Sequence, residues 1–129
     1  MLGFTGTRRG MTEQQRATLA ALLRDRFGDE PTINDRLHHG NAIGADREAG
    51  LIAYILGYQN VPHRPRGTRS EDYLARNREI VDMVDELFAA PASTEEELRS
   101  GTWATIRYAR KAGKLVTIVW PDGTISYEP

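Results

Sequence analysis

Gly3-Phe-Thr-Gly6-Thr-Arg8-Arg9-Gly10-Met-Thr12-Glu-Gln-Gln15 is the stretch whose reading decides the fold. An apolar run, Met1 to Thr5, passes through a loop of glycine and arginine, Gly6 to Gly10, straight into a helix start. Thr12 and Gln15 have capping-box spacing: the threonine hydroxyl accepts from the third helical amide while the glutamine side chain reaches back to the cap amide. Strand, tight loop and helix make the first half of a βαβ unit. Such a unit commits the chain to a parallel sheet with helices packed on its faces.

Outward from that stretch the same alternation repeats. Leu19, Leu22, Leu23 and Phe27 share one helical face, and Gly28 is the expected stop. Asp35 to His39 reads as a second strand. Ile43 to Leu56 is a helix whose stripe is Ala45, Ala49, Ile52, Ala53 and Leu56, ended by Gly57. Gln59 to His63 is a third strand, after which Pro62, Pro65 and Gly67 impose an irregular loop. A helix over Glu71 to Val84 leads to a fourth strand at Glu86 to Ala90. Pro91 to Arg99 is an acidic loop with a helical turn expected at Thr94 to Leu98. Ser100 caps a helix running to Ala112 with Gly113 as its stop, Leu115 to Trp120 is a buried strand, and Pro121-Asp-Gly123 turns into a last strand, Thr124 to Tyr127. The expected class is α/β, with a mainly parallel sheet of about five strands, helices on both faces and a short C-terminal strand.

With 129 residues, 40% of them apolar, the chain is expected to form one domain, 1–129, with a core that needs no staple. Cysteine is absent, which removes thiolate nucleophiles, disulfides and the common zinc patterns. No apolar run reaches the roughly 20 residues of a membrane span, and the N-terminus reads as a strand rather than a leader, so a cytoplasmic protein without membrane contact is expected. The formal net charge is −1, which weighs against a long nucleic-acid footprint on one subunit. The basic residues are nonetheless almost all arginine, lysine occurring only at Lys111 and Lys114, and arginine suits bidentate phosphate contacts.

Four loops carry the candidate chemistry, because in an open α/β sheet the ligand lies outside the carboxyl ends of the strands. Gly6, Thr7 and Arg8 combine close backbone approach with a guanidinium and a helix start, whereas Gly10 reads as a plain turn. His39-Gly40-Asn41-Ala42-Ile43-Gly44-Ala45-Asp46 offers two further glycines; Asp46 is either a carboxylate complementing its helix or an acceptor for ribose or base. His39 is a proton-transfer candidate, and His38 should face the other way as a structural residue. Arg64, Arg66 and Arg69 raise the local potential, Arg76 and Asn77 offer a fork and an amide, and Arg78 with Glu79 reads as a solvated pair. Ser100, Gly101 and Thr102 open a helix as an anion site, with Trp103 read as core rather than as a stacking platform. The spacing is neither G-x-G-x-x-G nor a Lys-Ser/Thr phosphate loop, and no compact metal-ligand set is visible, so neither cofactor nor metal is expected.

Taken in order, these motifs resemble the SLOG superfamily of Rossmann-like nucleotide-binding domains, which includes the LOG phosphoribohydrolases and the DNA-processing protein A family. The resemblance runs from Gly3 to about Pro121 and is nearest to the small members found in phage and actinobacterial genomes. His39-Gly…Gly44-Ala-Asp46 is similar to an element of the DNA-processing branch, Arg76-Asn77 to the Arg-Lys pair of LOG enzymes, and Ser100-Gly-Thr-Trp-Ala-Thr105 to their phosphate loop. It implies a Rossmann-like three-layer sandwich, a nucleotide-type ligand and, by analogy with related domains, a homodimer. The LOG catalytic glutamate is matched here by Thr105 and the lysine by Asn77; loss of a general acid or base typically costs about 10²–10⁴ in rate. Three functions follow: binding of a nucleotide or its derivative; N-glycosidic hydrolysis, with Arg76 and Asp46 as catalytic candidates; and single-stranded DNA binding, where assembled subunits could build the basic groove one subunit lacks.

Overall fold

Strands and helices alternate from the first strand to the fifth in the computed structural model, which describes residues 1–27 and 35–128. In chain order they are β1 (Leu2–Gly6), α1 (Glu13–Arg26), β2 (Arg36–His39), α2 (Ala45–Leu56), β3 (Gln59–Pro62), α3 (Ser70–Met83), β4 (Glu86–Ala90), α4 (Gly101–Lys111), β5 (Leu115–Val119) and β6 (Ile125–Glu128). The expected stop at Gly28 lies outside the described residues. One sheet holds the strands in the order β3-β2-β1-β4-β5-β6. The first five run parallel, while β6 folds back antiparallel on β5 through a turn at Gly123. Succession therefore moves outward from β1 toward β3, then jumps to the other side of β1 and moves outward again. The reversal falls between β1 and β4, where Gly6 stands in register with Ala90.

Each sheet face has its own apolar core. Phe4, Leu19, Leu23, Leu37, Ala49, Ala53 and Phe88 join the face carrying α1 and α2, whereas Leu87, Ala89, Trp103, Ile106, Val116 and Ile118 join the face carrying α3 and α4. The alanine stripe of α2 explains its closeness to β1: small residues let the helix descend onto the sheet. The outer side of α2 leaves Leu51, Tyr54 and Ile55 exposed.

The capping box at Thr12 forms as expected, with the Gln15 amide donating to Thr12 Oγ1 (3.0 Å) and the Thr12 amide to Gln15 Oε1 (2.9 Å). Gln15 does more than cap. It is 1% exposed, and its Nε2 donates to the carbonyls of Pro91 (2.9 Å) and Val119 (3.0 Å), pinning the ends of β4 and β5 to α1.

Two expectations are corrected. Helix α2 begins at Ala45 rather than Ile43, because Gly44 has φ 93 and ψ −127, which no helix accommodates. The segment Thr94 to Leu98 is not a helical turn: it bends at Thr94 and Glu95, is irregular at Glu96 and Glu97, and enters a turn at Leu98 closed by the Ser100 amide on the Glu97 carbonyl (3.3 Å). Three successive glutamates repel one another there, and Ser93 Oγ donates to the Glu95 carbonyl (3.3 Å), a local bond that competes with helical pairing.

Candidate functional site

The loop after β1 is held on three sides. The Thr7 amide donates to the Ala90 carbonyl of β4 (3.1 Å), and the Thr7 carbonyl accepts from Ala45 at the start of α2 (3.0 Å). Gly6 lies under α2, where a Cβ would stand 2.5 Å from that of Ala45. Gly44 is pressed against the other side of the loop, a Cβ there falling 2.3 Å from the Arg8 carbonyl oxygen. These contacts leave the side chain of Arg8 exposed and directed over Tyr73, its guanidinium carbon 5.5 Å from the ring centroid.

Arg76 approaches the same ring at 5.7 Å, and only 7% of it is exposed. Its Nε donates to Asn77 Oδ1 (2.8 Å) and its Nη1 to the carbonyls of Gly40 (2.9 Å) and His63 (3.3 Å). Nη2 has no protein partner among the described residues. The space beneath this fork is kept by Gly40, where a Cβ would stand 2.6 Å from the guanidinium. Asp46, 6% exposed, accepts at Oδ2 from the amides of Gly40 (3.2 Å) and Ala42 (3.3 Å), so it ties down the loop before its helix rather than serving only the helix dipole.

Across the cleft, Ser100 Oγ accepts from the Trp103 amide (3.3 Å), an ordinary cap that leaves the amides of Gly101 and Thr102 without partners among the described residues. The result is a cleft of about 230 Å³ at the β1/β4 reversal, between the loop after β1, the first turn of α2, the middle of α3 and the start of α4. Of the residues expected from sequence, Gly6, Thr7, Arg8, Asp46, Arg76, Asn77, Ser100, Gly101 and Thr102 line it together. Gly40 supports Arg76 from below, and Gly44 braces the Arg8 backbone. His39 is not brought in: its Nδ1 accepts from the Asn41 amide (3.0 Å), so Nε2 carries the proton toward Asn60 Oδ1 (3.1 Å), and burial lowers its pKa. Trp103 is 4% exposed and packs in the α4-side core, with only an edge at the cleft.

Sequence reading missed Tyr73, which lies one helical turn before Arg76 on α3, and Thr5 and Glu97 on the cleft wall. The three-residue interval between Tyr73 and Arg76 carries that signal for an α3 face turned to the cleft. Arg78 and Glu79 do not pair with each other: Arg78 lies over Tyr108, and Glu79 Oε1 meets His63 Nδ1 (2.8 Å). His63 Nε2 in turn meets His38 Nδ1 (2.8 Å), which puts His38 on the opposite face from His39, as alternation requires. Burial and the neighbouring His63 push His38 down to about 4, and its Nε2 is buried without a partner.

Charge is distributed unevenly. Arg8 and Arg9 after β1, Arg47 in the first turn of α2, and Arg64 and Arg66 after β3 have no acidic partner among the described residues. Away from this rim, Arg16, Arg26, Arg107 and Arg110 are paired with glutamates, whereas Arg24, Lys111 and Lys114 have no salt bridge among the described residues. Among the described residues no cluster of His, Asp or Glu is placed to hold a metal, and no helix is long and apolar enough to cross a membrane.

Asp46 makes a sharp test of this geometry. Burial raises its pKa from 3.8 to about 6, against the opposing pull of the Ala42 amide, the Arg76 guanidinium and the amides of Gly40 and Gly6. A raised folded-state value means the native protein holds the proton more tightly than the unfolded chain. The associated stability is full below pH 4 and is lost as pH rises through 6, a displacement worth about 3 kcal/mol. Carboxyl NMR should show Asp46 titrating near pH 6, and urea unfolding of Asp46→Asn should lack this fall between pH 4 and 6. A midpoint at or below 4 would remove the burial argument.

A parallel α/β sheet with a polar, arginine-bearing cleft at its strand-order reversal defines a Rossmann-like domain of the kind that binds ligands at the switch point. Comparison with solved structures agrees on the fold. DNA processing protein A from Streptococcus pneumoniae is similar over 91% of this chain and 49% of its own, with a TM-score of 0.70 at 16% identity. DNA processing protein A from Helicobacter pylori, whose structure was described for its single-stranded DNA binding mode, is similar over 91% of this chain and 63% of its own, with a TM-score of 0.67 at 19% identity. The chain thus spans about half to under two-thirds of the structures it matches. The Rossmann-like α/β fold expected from the sequence is borne out, and it is shared with these two structures. No family model and no curated protein matches the chain.

Proposed function

We propose that the chain binds a nucleotide or nucleotide derivative, its phosphate seated between the Gly6–Arg8 loop and the start of α4. The observation that carries this reading is the convergence of two amides without partners among the described residues, Gly101 and Thr102, with the guanidiniums of Arg8 and Arg76 on one small cleft. Helix-start amides and forked guanidiniums are complementary to phosphate oxygens, and the amides and the hydrogen-bonded Arg76 are held in place before the ligand arrives. A nucleotide at 100 times its dissociation constant should stabilise the protein by about 2.7 kcal/mol, visible as a thermal shift across a nucleotide panel. In the double variant Arg8→Ala/Thr102→Ala, affinity for the bound nucleotide should fall at least about 100-fold, or roughly 2.7 kcal/mol. Unchanged affinity would move the phosphate elsewhere.

A second reading is supported by the likeness to DNA processing protein A and by the unpaired arginines of the rim. Under it the ligand is single-stranded DNA, and binding would weaken steeply with salt as counterions are released. Hydrolysis has less support. Thr105, at the position of the LOG glutamate, is 3% exposed and donates its hydroxyl to the Gly101 carbonyl (2.8 Å), leaving Asp46 as the cleft's buried proton-transfer candidate.

A further inference from the structure

On the far side of Tyr73 a second groove, of about 420 Å³, opens over the ends of β1 and β2. It shares Arg8, Ala42, Tyr73 and Arg76 with the cleft, so the two are compartments of one depression divided by the Arg8–Tyr73–Arg76 stack. The cleft alone is smaller than the roughly 300–1,000 Å³ of a typical small-molecule site, whereas the two together fall within it. Their chemistry differs. The second compartment adds Ile43 and Pro65 as apolar walls, and Arg47, exposed and without an acidic partner among the described residues, from the first turn of α2.

Ile43 is 68% exposed and stands in the loop before α2, where it contributes to neither core. An apolar side chain and a proline beside unpaired guanidiniums suit a planar, partly apolar group joined to an anion. Both faces of that requirement are met by a nucleoside carrying phosphate. We propose that this groove is a nucleoside subsite: the ligand's phosphate lies on the α4 side of the stack, its nucleoside packs against Ile43 and Pro65, and Arg47 engages a further phosphate beyond that nucleoside. The ligand is then a unit with two phosphates flanking a nucleoside, as in a 5′-phosphorylated dinucleotide or a stretch of single strand, rather than a simple monophosphate. Ile43, Pro65 and Arg47 become the specificity-determining residues, and the inference rests on phosphate occupying the first cleft.

Calorimetric titration of the wild-type chain and of Ile43→Glu and Arg47→Ala with inorganic phosphate, a nucleoside monophosphate and a 5′-phosphorylated dinucleotide tests this. Both positions are exposed, so the variants should fold, which unfolding curves will verify. The expected result is that the wild type binds the dinucleotide at least tenfold more tightly than the monophosphate. Each variant should lose at least tenfold for the dinucleotide while phosphate affinity stays within twofold. A longer single strand binding more than tenfold tighter than the dinucleotide identifies the source as a polymer, and equal affinity identifies a small ligand. Dinucleotide binding unaffected by both substitutions, with phosphate still bound, overturns the subsite and leaves the first cleft standing. Failure of all three probes on the wild type overturns the first cleft and the subsite with it.

Discussion

Gly44→Ala should cost at least about 3 kcal/mol of stability, with ligand binding lost alongside. Two penalties coincide at this position. The backbone lies at φ 93 and ψ −127, a region that residues with a Cβ avoid, and the added methyl would sit 2.3 Å from the Arg8 carbonyl oxygen and 2.6 Å from its carbon. Neither neighbour is a side-chain tip that can swing aside. Relief requires the β1 loop to lift from α2, and that breaks the Ala45 to Thr7 hydrogen bond (3.0 Å) and displaces Arg8. Urea denaturation measures the first effect and phosphate titration the second. A stable variant with undiminished binding would show that the loop is not braced by α2.

Arg76→Met should be nearly as damaging for a different reason. The methionine replaces much of the arginine stem, so the lost packing is modest. The carbonyls of Gly40 and His63 and the Asn77 amide oxygen lose their donors, at about 1–3 kcal/mol for each buried group left unsatisfied. Water reaching the cleft side will offset part of this, so a net loss of about 3 kcal/mol is expected. Asp46 will also respond, because the guanidinium helps hold its carboxyl down; without it the carboxyl should titrate above about 6. Arg76→Lys should recover charge without the fork, restoring some stability but not binding. Unfolding curves and the Asp46 titration separate the two roles, and an unmoved Asp46 would break the electrostatic link.

Most of the architecture was legible because it rests on local chemistry. The capping box at Thr12, the alanine stripe of α2 and the β-branched run of β5 each announce an element within one short window. The loops after β1 and at the start of α4 could be named as candidate sites for the same reason: free helix-start amides follow directly from a cap. Illegible were the features made by register across the sheet. That Gln15 reaches both Pro91 and Val119 depends on α1 lying over β4 and β5, which are remote in sequence. His39 looked available because strand ends face the ligand, yet Asn60 of the neighbouring strand and the Asn41 amide occupy both its nitrogens. Tyr73 escaped notice because its meaning comes from Arg8, a partner 65 positions earlier in the chain.

The grouping of Arg8, Arg9, Arg47, Arg64 and Arg66 on one rim bears on how fast the proposed ligand would arrive, and not only on how firmly it would be held. A molecule with a net charge of −1 exerts almost no monopole pull on an anion, but arginines grouped beside the cleft raise the local positive potential there. Within a Debye length, about 10 Å at 0.1 M salt, that local field favours encounters of an anion with the rim. Added salt would then slow association while leaving dissociation, governed by the enclosed contacts with Arg76 and the α4 amides, nearly unchanged.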